Sequence, residues 1–176
     1  MSEQDRLEFW TKTLNLPDFQ VVHQRRDTPA DPLRLTVVPQ MPLGLCSGCC
    51  RATDAIHRTY ESQPVKDLPV GSQAVELIVR TYQFHCPHCD RYFTPRYPAL
   101  AEGAHATERF LEQAAKLIRF SDIANAAAFL GVAEKNLERW YYDYVQRQAQ
   151  KPSAEFKPIK SLGIDELSLK KSTGSS

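Results

Sequence analysis

The sequence has no run of 18 consecutive apolar residues, and no apolar stretch follows its charged start, MSEQDRLEFW. Neither a helical membrane span nor a secretory leader is indicated, so a cytoplasmic location is the expectation. Charge imbalance is missing too: 22 Lys and Arg face 21 Asp and Glu, a net of +1. Bulk charge therefore does not announce nucleic-acid binding, and any such affinity has to come from local placement. Cysteine is scarce, five in 176 residues. Without a leader, that number argues against a disulfide framework and for metal binding or free thiols. What is present is ordinary globular material, 42% hydrophobic and 24% charged, enough for one domain or two or three small ones.

Four of the cysteines form two identical steps, CSGC (Cys46, Cys49) and CPHC (Cys86, Cys89). A Cys-x2-Cys turn points two thiolates at one ion, and two such turns complete a tetrahedral Zn(II) shell of the closed, structural kind. The 36-residue spacer has content of its own: VKDLPVGSQ reads as a turn, and AVELIVRTYQFHC is β-branched and aromatic material feeding the second pair as a strand. Metal binding would supply on the order of 10 kcal/mol of local folding energy to a cluster this small. Cys50 can take the place of Cys49, and His57, His85 and His88 are substitute ligands. A lone His beside such a turn is more often a surface or packing residue.

From residue 104 the apolar period becomes helical. Thr107 is the expected N-cap of ERFLEQAAKLIRF, whose Phe110, Leu111, Ala114, Leu117 and Ile118 form one apolar stripe. Ser121 is the expected cap of a second helix, DIANAAAFL. Gly131 then supplies a turn into a third, EKNLERWYYDYVQR. Small Ala127 permits the last two helices to cross closely, the pattern of a helix-turn-helix. The third helix is expected to bury Leu137, Trp140, Tyr141 and Tyr144, which leaves Lys135, Asn136, Arg139, Tyr142 and Gln146 facing outward. Arg can bridge two acceptors on guanine, Asn can pair with adenine, and Lys can meet a phosphate or a guanine edge. The competing reading is a three-helix packing module with a solvated third helix, because residues 104–151 hold seven basic and six acidic residues. Ala133 departs from the favoured Ser, Thr or Asp before a helix start.

The remaining segments flank these two. RLEFWTKTL is a short amphipathic stretch, and FQVVHQ and LRLTVVP are strands separated by RRDTPADP, making a small sheet that supports the first cysteine turn. His23, on an apolar strand, is expected to be a packing residue. No catalytic constellation occurs there. KPSAEFKPIK reads as a linker into a terminal apolar strand that delivers Asp165 and Glu166, and no Asp or Glu follows them.

The order of parts resembles the N-terminal half of the ISL3 family of bacterial insertion-sequence transposases. The matching stretches are VKDLPVGSQAVELIVRTYQFHCPHCDRYFT, SDIANAAAFLGVAEKNLERW and LGIDELSLKK. The resemblance implies a zinc-binding module and a helix-turn-helix that recognise an element's terminal inverted repeats on double-stranded DNA. It also implies an RNase H-like domain whose DDE acids cut and join DNA with a divalent metal such as Mg(II). Asp165 matches the first of those acids, but the other two have no counterpart and KKST stands where a basic-Gly-His is usual. The expectation is therefore an α+β chain that does not catalyse. Residues 1–45 form a helix and β-hairpin, 46–98 the zinc module, 104–150 a three-helix DNA-binding domain, and 151–176 a linker and first strand of a truncated catalytic domain. Partners expected on this reading are element-end DNA, full-length transposase or a second copy of the chain. The alternative is a zinc-stabilised interaction module that regulates full-length transposase.

Overall fold

A computed structural model describes residues 2–150, and the expected linker, terminal strand and Asp165 lie outside the described residues. The first helix, α1 (Glu3–Leu14), starts on a capping box in which Ser2 and Asp5 satisfy each other's backbone N–H, and it stops where Asn15 turns left-handed. Strands β1 (Phe19–Arg25) and β2 (Leu33–Pro39) then form the expected antiparallel hairpin.

The organising element is β7 (Gln73–Cys86), a 14-residue strand used twice along its length. Its first half, Val75–Val79, runs parallel to β2, and Val75–Leu77 also pairs antiparallel with β6 (Val65–Val70). Its second half, Arg80–Cys86, pairs with β5 (Ile56–Glu61) and β8 (Arg91–Phe93). A separate two-stranded sheet, β3 (Gly44–Leu45) with β4 (Ala52–Thr53), carries the first cysteine turn.

Residues 65–70, expected as part of a turn, are strand β6, and the turn shrinks to Gly71–Ser72. Val65 and Asp67 face the interior and give that segment a strand's alternation. The β1–β2 hairpin pairs with β7 at Val75–Val79, in the half of that strand away from the cysteines, and the chain leaves β2 directly for β3 and the first cysteine turn.

One core lies over the first half of β7. Leu35, Val37 and Leu77 are fully buried there together with Leu14, Phe19 and Val79, and Leu7 and Trp10 of α1 close one side. His23 is exposed: residues two apart in a strand share a face, but the pairing of β1 with β2 slips register between Val21 and His23, which takes His23 off the buried face that Val21 occupies. Glu76 is nearly buried, with Arg34 and Lys66 donating to its two oxygens at 3.1 and 3.0 Å.

Three helices follow: α2 (Glu108–Phe120), α3 (Ile123–Leu130) and α4 (Glu134–Gln150). Thr107 caps α2 as expected. The cap of α3 is Asp122, whose carboxylate accepts from the N–H of Asn125 at 2.8 Å, and Ser121 instead ends α2. Asp outcompetes the neighbouring Ser because an ionised cap also meets the positive end of the helix. Ala126, Ala127 and Leu137 are buried where α3 meets α4, and Trp140 joins Phe110 and Leu111 in a second cluster. Tyr141 and Tyr144 are only half-buried, since the apolar face of α4 narrows to Leu137 and Trp140.

Candidate metal centre

Two knuckles meet at the far end of β7 and repeat each other residue for residue, forty positions apart. In the first, the N–H of Cys50 donates to the carbonyl of Cys46 at 2.9 Å; in the second, the N–H of Asp90 donates to the carbonyl of Cys86 at the same distance. Cys50 and Asp90 hold matching left-handed backbones, φ 55° and 54°. The strand pairs behind the knuckles also correspond, Gly44 with Thr53 and Phe84 with Phe93. A cysteine and an aspartate in equivalent places show that this position closes the turn. Cys50 is exposed at the turn and stands outside the cluster of sulfurs.

The Sγ atoms of Cys46, Cys49, Cys86 and Cys89 all lie within 4.8 Å of one another. Cys46 and Cys89 approach to 3.5 Å, and so do Cys49 and Cys86. Zn–S bonds of about 2.3 Å in a tetrahedron require sulfurs roughly 3.8 Å apart, so both the donor set and the spacing suit Zn(II). Cys46 and Cys86 are buried, and Cys49 and Cys89 are half-buried.

The electrostatics of the four thiols are uneven. Backbone N–H groups of Gly48 and Cys49 point at Cys46 and hold its thiol down to about 6. The Cys46 sulfur, followed by burial, pushes Cys89 up to about 12. One thiolate forms readily, while a full set needs a cation among them. A divalent ion supplies that charge.

The three histidines near the knuckles are engaged elsewhere. His85 Nε2 lies 2.6 Å from the Asp90 carboxylate, His88 Nδ1 lies 2.9 Å from Arg51 Nη1, and the His57 ring packs edge-on against Tyr92. Gly44 permits the packing beneath the site: a Cβ there would sit 2.7 Å from Phe84, which is fully buried.

The other expected site residues are on α4. Lys135, Asn136, Arg139, Tyr142 and Gln146 are all exposed; Lys135, Arg139, Tyr142 and Gln146 lie on the side away from Leu137 and Trp140, and Asn136, one turn before Trp140, lies at the margin of the buried face. They are remote in sequence from the cysteines and none belongs to the sulfur cluster. A third constellation was not foreseen: Asp67 on β6, buried, accepts from Thr107 Oγ1 at 2.7 Å and from Arg109 Nε at 2.8 Å. Its trace in the sequence is an Asp that stands between Val65 and Leu68 in a short strand whose alternation turns position 67 inward.

No curated protein and no solved structure matched the chain. Residues 42–89 match the family model described as the zinc-finger of transposase IS204/IS1001/IS1096/IS1165. That span holds both knuckles and ends on Cys89, the last of the clustered cysteines. The chain thus carries a zinc ribbon of the ISL3 transposase type, with a four-cysteine cluster arranged to hold a zinc ion.

Proposed function

We propose that the chain is a zinc-stabilised, sequence-specific DNA-binding part of a transposase that recognises the terminal repeats of its element. The observation that carries the reading is the pairing of a transposase-type zinc ribbon with a helix that exposes Lys135, Asn136, Arg139, Tyr142 and Gln146, all groove-reading residue types. In this reading α2, α3 and α4 are a helix-turn-helix unit and α4 is its recognition helix. Gly131 takes the left-handed turn at φ 62°, and Ala126 and Ala127 let α3 cross close to α4.

Each α4 residue then has a role. Arg139 spans a guanine edge, Asn136 pairs with adenine or a phosphate, and Lys135, near the helix start, meets the backbone. Tyr142 and Gln146, one and two turns further on, flank the groove. Glu134 and Glu138 limit non-specific affinity by repelling phosphates, which favours selective over bulk binding. The zinc ribbon contributes rigidity at the other end of β7. No catalytic step is assigned, since Asp165 and any Mg(II) bound there fall outside the described residues.

The test is binding to element-end duplexes over a range of salt. Arg139→Ala is expected to cost about 1–3 kcal/mol against the cognate repeat and much less against unrelated DNA. Affinity unchanged by the Lys135→Ala, Asn136→Ala, Arg139→Ala triple variant rejects α4 as the reader. The alternative, an interaction module acting on full-length transposase, draws on the exposed Phe120 and Phe129 and on the near-neutral charge. It predicts no salt-sensitive DNA binding at all.

A further inference from the structure

The knuckle repeat extends to the residues that follow it. Arg51 comes directly after Cys50, and Arg91 directly after Asp90. Each arginine leaves its own knuckle and crosses to the same place on the other one. Arg51 Nη1 reaches 2.9 Å from Nδ1 of His88, the third residue of CPHC. Arg91 lies over Gly48, the third residue of CSGC, where a Cβ would sit 2.9 Å from Arg91 Cδ and 3.0 Å from its Nη1.

We propose that Arg51 and Arg91 are a matched pair of braces: they clamp the two knuckles together and offset the charge of the zinc-loaded cysteines, so that zinc retention depends on them. Four thiolates around a divalent ion leave two negative charges in a half-buried site. Backbone N–H groups soften that charge but cannot cancel it. Two guanidiniums, which stay charged at every relevant pH, match it in number. The acid within the knuckles, Asp90, is turned aside onto His85 and does not compete for either arginine.

The pairing also explains why the third residues differ. Arg91 passes where a side chain at 48 would stand, so any residue larger than glycine there has to push the arginine aside. Arg51 instead ends on a ring nitrogen, so position 88 can carry histidine as an acceptor.

The experiment is transfer of zinc from the purified full chain, loaded with one equivalent, to an excess of a chromophoric chelator. The Arg51→Gln, Arg91→Gln pair is expected to release zinc about 10–100-fold faster, the range seen when outer partners of a metal site are removed. The Lys pair should recover part of that loss, because it keeps the charge without the fork. Gly48→Ala, which removes no charge, should speed release by displacing Arg91 alone and should leave the circular dichroism unchanged. Release at the wild-type rate from the Gln pair overturns the proposal, and if that pair fails to fold, the same result from Gly48→Ala does so. A Lys pair no better than the Gln pair overturns the charge argument. Wild-type release combined with a shallower salt dependence of DNA binding overturns it as well and reassigns the arginines to phosphate contact.

Discussion

Cys50 and Cys49 are neighbours of the same chemistry, yet only one belongs to the sulfur cluster. The left-handed backbone at Cys50 turns its side chain to solvent, while Cys49 comes within 3.5 Å of Cys86. Cys86→Ser should therefore lower zinc stoichiometry well below one per chain and unfold the ribbon, whereas Cys50→Ser should leave both unchanged; metal analysis beside thermal melting checks the pair. Glu76 gives a pH prediction at the same scale. Burial pushes its carboxyl up, but the hydrogen bonds from Lys66 and Arg34 more than reverse this and hold it below its ordinary value. A carboxylate depressed in the folded state adds stability above the unfolded carboxylate range and loses it as pH falls through the folded value. Glu76→Gln should cost about 1–2 kcal/mol at pH 7 and progressively less toward pH 3, read from urea titrations at each pH.

At the scale of elements, the constraint in the ribbon is packing between strands. Gly44 of β3 sits against Phe84 of β7 and Phe93 of β8, whose rings stack with centroids 5.8 Å apart. Gly44→Ala forces a methyl into that stack and should destabilise the ribbon by about 1–3 kcal/mol, seen as a lower melting temperature and weaker zinc retention. In the helices the constraint is a turn. Gly131 ends α3 with its N–H turned back to the carbonyls of Ala127 and Ala128, in a backbone state that resists a Cβ. Gly131→Ala should cost about 1 kcal/mol and shift how α4 meets α3.

At the scale of the molecule, α2 is tied to the sheet through a buried acid, Asp67. Arg109 of α2 grips the Asp67 carboxylate of β6 and also donates to the carbonyl of Leu14 at the end of α1, at 2.7 Å. Backbone bonds reinforce the seam, with the N–H of Lys66 donating to His105 and that of Thr107 to Lys66. Arg109→Ala leaves the buried Asp67 side chain without its guanidinium partner and should cost about 3 kcal/mol, the lower end of the range for breaking a buried pair, since the arginine is itself partly exposed. Denaturation followed separately by a zinc-release signal and by helical dichroism should then lose its single transition. The Asp67→Ala, Arg109→Ala double variant should recover part of the stability, because it leaves no buried charge unpaired.

The sequence by itself determined whatever is periodic or local. Two Cys-x2-Cys turns mark a metal site through their spacing, Thr107 marks a helix start, and the 3.6-residue apolar period of residues 108–150 marks helices and their outward faces. These signals need only a few neighbouring residues, so they survive without the fold. The tertiary structure decided what depends on residues far apart. Residues 65–70 read as a turn because of Pro69 and Gly71, and they became a strand because Val75–Leu77 of β7 offered an open edge to pair with. Spacing favoured Cys49 over Cys50 and left Cys50 as a substitute, the left-handed turn at Cys50 removed that alternative, and the partner of Asp67 lies 42 residues away on another element. Spacing along a chain encodes local geometry, but pairing across it is set by which edges and charges are left unsatisfied once the local pieces have formed.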